Sequence, residues 1–214
     1  MIRISFICLA LLSAAFVYGC KSGDQAKFNK LASSDFGLGI TFEMSKDQVV
    51  EVLAEPATSL DKQGGTRVID FYIHPDVLSE TPDAEYPTDS DTPQLQLTYI
   101  NGYLARIYNR WIPEDPDEPY PPFFMEPIGG VKLGSRRSDF QDALGPPSDP
   151  IIGSIWKFKH KDGRMVQVQA AFTEMPNSEE ELCSSLSIVL VPSVTEYQGE
   201  EKEKRDNWRQ DFDL

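Results

Sequence analysis

Apolar positions recur along the chain in two rhythms. Leu95, Leu97 and Tyr99 alternate with polar neighbours, and a second alternating run, YLARIYNRW, begins just after Asn101-Gly102. An Asn-Gly pair between two period-two runs predicts a tight β-hairpin, because both residues tolerate the positive φ that such a turn needs. TRVIDFYI predicts a strand ahead of that hairpin. SIWKFKH and RMVQVQAAF flank KDG, a second hairpin with Asp162-Gly163 at its turn, and LCSSLSIVLV predicts a further strand. Elsewhere the spacing is four: Val49/Leu53 and Phe140/Leu144 each predict one apolar stripe on a short helix. Ser45 and Gln48 fit a capping box at the start of the first helix. Ser135 or Ser138 is the expected cap of the second. Gly145 reads as the glycine that ends it, and Pro56, Pro146 and Pro147 cannot prolong a helix.

These elements fall into two copies. Ile40 to Pro56 (ITFEMSKDQVVEVLAEP) aligns without a gap on Val131 to Pro147 (VKLGSRRSDFQDALGPP), at an offset of 91. Ile40 matches Val131, Phe42 matches Leu133, Val49 matches Phe140, Leu53 matches Leu144 and Pro56 matches Pro147. The expected fold is therefore α+β: two tandem repeats, each a short helical segment packed on an antiparallel sheet of about three strands. Repeat 1 runs over 36–112 and repeat 2 over 128–192, separated by a Pro-rich acidic linker, 113–127. The linker's prolines favour extended polyproline structure, with Phe123, Phe124 and Met125 expected at the seam between the halves. An acidic insertion, 75–93, interrupts repeat 1, and 193–214 reads as a charged tail.

Ahead of the repeats, Arg3 is followed by an apolar stretch, Ile4 to Val17, broken only by Ser5 and Ser13. A basic start, a short apolar core and small residues before a cut describe a secretory signal over 1–19. The stretch is shorter than the roughly 20 residues of a membrane-spanning helix. Val17-Tyr18-Gly19-Cys20 resembles the bacterial lipobox, which implies cleavage after Gly19 and diacylglycerol on the Cys20 sulfur. The alternatives are a plain cleaved signal or an uncleaved anchor. Residues 20–35 (CKSGDQAKFNKLASSD) are expected to be a flexible tether.

Charge and chemistry narrow the function. The chain has 34 acidic against 20 basic residues, a net charge of −14, which opposes nucleic-acid binding. The two histidines, His74 and His160, each end a predicted strand, with no second histidine or cysteine at metal-ligand spacing. Cys183 sits in a strand-like run and reads as a small buried hydrophobe. No Gly-x-Ser-x-Gly elbow, Ser-x-x-Lys pair or phosphate loop is present. Neither Asp83, Glu85, Asp89 and Asp91 nor the 114–118 run has the glycine and closing glutamate of a calcium loop. The expectation is a non-enzyme without metal or cofactor.

Gly145-Pro146-Pro147 and Trp156-Lys157-Phe158 resemble the signature of the SmpA/OmlA (BamE-like) lipoprotein domain, and the tandem arrangement resembles the β-lactamase-inhibitor-protein architecture. Copy one departs at Ala54-Glu55 and at Phe71-Tyr72, which replaces the Trp pair. The resemblance covers 38–111 and 128–192. It implies a lipid-anchored envelope protein that binds another envelope protein, in envelope assembly or integrity. Lys21 and Ser22 follow the cysteine where an inner-membrane retention signal would show aspartate, which by resemblance to enterobacterial sorting rules implies the outer membrane, facing the periplasm. The aromatics Tyr99, Tyr103, Tyr108 and Trp111, with Asp83, Glu85, Asp89 and Asp91, are the expected contact residues. The alternative function is a periplasmic small-molecule or calcium-binding lipoprotein.

Overall fold

A computed structural model describes residues 23–62, 64–73, 94–110, 125–126, 128–148, 154–174 and 181–191. Three helices are described: α1 (residues 23–32), α2 (Lys46–Leu53) and α3 (Arg137–Leu144). The strands are β1 (Thr58–Lys62), β2 (Arg67–Ile73), β3 (Gln94–Ile100), β4 (Tyr103–Arg110), β5 (Ser154–Lys159), β6 (Met165–Glu174) and β7 (Glu181–Val191). They form one antiparallel sheet in the order β1-β2-β3-β4-β7-β6-β5.

This corrects the expected fold class. The chain does not fold as two tandem repeats, each a helix on its own three-stranded sheet. The strands after α2 and those after α3 merge through β4 and β7, which pair antiparallel from Arg106↔Val189 to Arg110↔Ser185. The physical reason lies in the two joining strands. A strand at a sheet edge leaves a row of backbone groups unpaired, and pairing β4 with β7 removes two such edges at once. β7 also departs from alternation at its end, where Leu186 to Val191 are buried on both faces. An unbroken apolar run belongs in the middle of a sheet, and β7 occupies that place.

The hairpins form where the turn residues place them. Ile100 pairs with Tyr103 across Asn101 (φ 51°) and Gly102 (φ 84°), as a two-residue turn with both residues left-handed requires. At the second hairpin His160 pairs with Arg164, and Gly163 takes φ 92°. β1 is an additional strand with no alternating signal, paired to β2.

The ungapped segments repeat in backbone detail. Positive φ recurs at an offset of 91: Gly39 and Gly130, Glu43 and Gly134, Ala54 and Gly145. The β4·β7 pairing stops short of the beginning of each strand, and the chain ahead of each helix fills the vacancy. Glu43 donates its amide to Leu104 O (2.9 Å) and Leu104 donates to Met44 O (2.7 Å). Likewise Gly134 donates to Cys183 O (2.8 Å) and Cys183 to Ser135 O (2.9 Å). Each helix is thus hung from the sheet by its own N-terminal strap.

Helix ends repay comparison. Ser45 and Gln48 form the expected capping box: the Gln48 amide donates to Ser45 Oγ (3.3 Å) and the Ser45 amide to Gln48 Oε1 (2.8 Å). Neither Ser135 nor Ser138 caps α3. Its N-cap is Arg136, whose amide donates to Asp139 Oδ2 (3.0 Å), while Ser135 accepts from Lys132. At the other end the two departures noted in copy one take over the roles of their counterparts. Trp156 Nε1 donates to Gly145 O (2.7 Å), and Tyr72 Oη donates to Ala54 O (3.3 Å).

One layer of helices covers one face of the sheet. Phe28 and Leu31 of α1, Val49 of α2, and Phe140 and Leu144 of α3 share a core with Tyr72, Leu97, Ile107, Trp156, Val168 and Ile188. Residues 23–32 are therefore a packed helix, and the expected tether over 20–35 is corrected for that stretch: Phe28 and Leu31 put an apolar face on it. Met125 packs in the core, its amide donating to Asn109 Oδ1 (2.8 Å). Phe123, Phe124, the insertion 75–93, most of the linker and the tail 193–214 lie outside the described residues.

Ala54 holds a backbone conformation (φ 69°, ψ −172°) that is essentially reserved for glycine. Ala54→Gly is expected to raise unfolding free energy by about 1 kcal/mol in urea titration, and Gly145→Ala to lower it by about 1–2 kcal/mol. No neighbouring atom would crowd the added Cβ at position 145, so the loss there is backbone strain alone.

Candidate interaction face

The alternation of each strand divides the sheet into a helix-covered face and an opposite, outer face. The register places Leu60, Ile69, Thr98, Arg106, Val189, Gln167 and Lys157 in one outer row. The next row is Thr58, Phe71, Gln96, Tyr108, Ser187, Gln169 and Ile155. No described helix residue belongs to the two apolar clusters on this face, one of Ile69 and Phe71, the other of Ile100, Ala105, Val189 and Val191.

The outer face differs from the rest of the molecule in charge. Its strand residues include Lys62, Arg67, Arg106, Arg110, Lys157 and Lys159, and among the described residues no strand carboxylate points to that side. In a chain of net charge −14 the described strand residues of this face are cationic, with Lys62, Lys157 and Lys159 exposed and Arg67, Arg106 and Arg110 half-buried. Arg106 anchors its middle: Nε donates to Ser187 Oγ (2.8 Å), and the guanidinium lies 5.3 Å from the centre of the Tyr108 ring. On the helix-bearing side Arg137 pairs with Glu181 (2.9 Å) and Lys46 with Asp70 (2.8 Å).

The expected contact residues separate on this geometry. Tyr103 is 58% exposed, at the start of β4 on the outer face. Tyr108 is half-buried in the middle of that face. Tyr99 is 1% exposed in the helix-covered core and is removed from the surface set, since its position in β3 shares a face with Leu95 and Leu97. Trp111, Asp83, Glu85, Asp89, Asp91 and the lipidation candidate Cys20 lie outside the described residues. The cationic residues went unread at the sequence level. Strand parity placed Lys157 and Lys159 on one side and Arg106 and Arg110 on another, but only the β4·β7 pairing brings the two sets onto one surface.

Buried polar groups on the other side hold structure together. Asp70 is fully buried; its Oδ1 accepts from Lys46 Nζ (2.8 Å) and from Ser59 Oγ. The link ties the first turn of α2 to β1 and β2. Asp70 Oδ2 and Tyr99 Oη are buried without hydrogen-bond partners. Burial, and then the proximity of Asp70, push the Tyr99 phenol well above its ordinary range. The same two causes, in the same order, push Tyr72 up to about 12.

His160 serves the second hairpin. Its ring stacks on Phe28 at 4.7 Å, and Nδ1 lies 2.8 Å from Asp162 Oδ1. Desolvation raises the Asp162 carboxyl, but the Arg164 amide, His160 and the Arg164 guanidinium outweigh it and bring it down to about 2. Among the described residues no group of three or more His, Cys, Asp or Glu is placed to hold a metal ion. A cavity of about 290 Å³ lies between α1 and α3, with Lys27 and Lys30 beside Leu31, Ile128 and Leu144. Lys27 is already engaged, donating to Leu144 O (3.2 Å).

No protein-family model and no curated protein matches the chain. Two solved structures resemble it. An extracellular protein containing an SCP domain, from Bacillus anthracis, matches at a TM-score of 0.37 and 7% identity over 74% of this chain. The chain spans 46% of that protein. A DUF4309 family protein, YjgB, from Bacillus subtilis matches at a TM-score of 0.35 and 13% identity, covering 78% of this chain and 98% of the other. Both scores are too low for either likeness to bear on function. No described helix is long and apolar enough to cross a membrane.

Two measurements check the chemistry of the core. Burial pushes the Cys183 thiol up to about 12, so a thiol reagent at pH 8 is expected to leave it untouched in the native protein and to label it fully in denaturant. Lys46→Met leaves Asp70 buried and unpaired. It is expected to cost about 2–3 kcal/mol, the low end for such a loss because Lys46 is partly in water. Adding Asp70→Asn in the same chain should recover much of that loss in a double-mutant cycle.

Proposed function

We propose that the protein is a lipid-anchored binding module of the bacterial cell envelope, and that it holds an acidic protein partner on the outer face of its sheet. The observation that carries this reading is the cation-only strand surface on a strongly acidic chain. Charges of one sign gathered on one face steer a partner of opposite sign and fix its orientation, while the acidic remainder discourages binding elsewhere. Tyr103 supplies an exposed aromatic at the rim, a residue type that concentrates interface energy. Binding is the role assigned to this face.

Lipid on Cys20 would place the module at the membrane, and the periplasmic side of the outer membrane is the location assigned with it. The first described helix residue, Gly23, lies only three positions beyond that cysteine, so the module would sit close against the bilayer. The second reading, a small-molecule-binding lipoprotein, is favoured by the cavity between α1 and α3, whose two lysines and apolar floor suit a small anionic amphiphile.

Capture from detergent-solubilised membranes tests the reading. The wild-type chain is expected to retain an acidic envelope protein at low salt. The Lys157→Glu/Lys159→Glu variant, both positions exposed on edge strand β5, should retain at least tenfold less with an unchanged melting temperature. Equal capture by both chains would contradict the role of the cationic face. Cys20→Ala should move the protein from the membrane to the soluble fraction without altering capture in detergent.

A further inference from the structure

The cavity between α1 and α3 has walls of two kinds. Leu31, Ile128 and Leu144 are core residues, 6%, 5% and 7% exposed, and with Ala143 they give it an apolar floor. Lys27 and Lys30 stand about one helical turn apart on α1 and bring two lysine side chains to the same space. Among the described residues that line the cavity there is no carboxylate. In a chain with 34 acidic residues against 20 basic, an apolar hollow faced by cations alone selects for negative charge.

The two lysines do not do the same work. Lys27 Nζ donates to Leu144 O (3.2 Å) and lies 5.7 Å from the centre of the Phe158 ring. Leu144 ends α3, where the last carbonyls lack intrahelical partners and a nearby cation is favourable. Lys27 therefore ties the two helices together, and its ammonium keeps further donors for a second acceptor. Lys30 makes no such tie. It is exposed, and no hydrogen bond or ion pair engages it among the described residues. A structural role accounts for Lys27 and leaves Lys30 unexplained.

The remaining wall is fixed by backbone bonds. The Ile128 amide donates to Val131 O (2.7 Å) and the Val131 amide to Ile128 O (3.1 Å), which closes the turn at Gly129 and Gly130 and holds Ile128 against the cavity. Ser34 Oγ accepts from the Phe36 amide (3.1 Å), so its hydroxyl proton is left to donate beside the lysines. A volume of about 290 Å³ lies at the lower end of ligand cavities and suits a small ligand. We propose that the cavity binds a monoanionic single-chain amphiphile, the class of a short fatty acid. Lys30 grips the head, with Lys27 and Ser34 beside it, and the chain lies on Leu31, Ile128 and Leu144. Binding here rests on the small-molecule reading of the cavity, not on the partner assigned to the outer face.

The test titrates octanoate, octanol and octylammonium separately into the full chain held in phosphatidylcholine nanodiscs, with the leucine and isoleucine methyl groups followed by NMR. Octanoate is expected to shift the Leu31, Ile128 and Leu144 signals saturably, more tightly than octanol and about tenfold more tightly than octylammonium. The methyl signals of Ile188, under the central strands, should stay in place. Lys30→Glu, at an exposed position, should weaken octanoate about tenfold with an unchanged melting temperature. An equal response to the three probes, or octanoate binding untouched by Lys30→Glu, would overturn the proposal and leave the small-molecule reading standing. No response of the three residues to any probe would overturn both.

Discussion

The architecture depends on the pairing of β4 with β7. Five residue pairs, Arg106↔Val189 to Arg110↔Ser185, close what would otherwise be two exposed strand edges and join the two sets of strands into one sheet. The pairing stabilises through backbone hydrogen bonds along two strands that each contribute apolar side chains to the core: Leu104 and Ile107 from one, Leu186 and Ile188 from the other. Because the seam is shorter than either strand, it leaves the first residues of both unpaired there. The straps at 43–45 and 134–136 fill those places and fix where α2 and α3 begin.

The same pairing makes the candidate site. β4 brings Arg106 and Arg110, and the β7-β6-β5 side brings Lys157 and Lys159; only a continuous sheet displays them together. The two faces then divide the work. The helix-covered face buries most of the large aromatics and a paired Asp70, whereas the outer face gathers cations and small apolar clusters that include no described helix residue. Under the proposed reading, recognition by charge falls to this face, with Tyr103 as an exposed aromatic at its rim.

Local structure was legible in the sequence because local physics decides it. Asn101-Gly102 turned where its φ preferences allow, Ser45 and Gln48 capped α2, and the offset of 91 recurs down to single positive-φ residues. What was not legible was assembly. Two apolar-faced sheets and one wide sheet satisfy the same alternation, and the choice rests on edge pairing between residues about 80 apart. The helix at 23–32 was missed because a polar segment with only Phe28 and Leu31 as anchors shows little periodicity, yet those two side chains suffice once a core is there to receive them. Tyr99 was read as a surface anchor because strand parity alone does not say which side the helices take. The second capping residue was misplaced for a similar reason: the strap, pinned to Cys183 at Gly134 and Ser135, sets the start of α3 and leaves Arg136 at the N-cap.

The continuity of the sheet is tested most directly by solution NMR across the seam. Nuclear Overhauser contacts between backbone protons of Arg106–Arg110 and Ser185–Val189, in antiparallel register about Ile107↔Ile188, are the result this account predicts. Their absence, with intact contacts within β2-β3-β4 and within β5-β6-β7, would mean two separate sheets and would contradict both the fold and the shared cationic face.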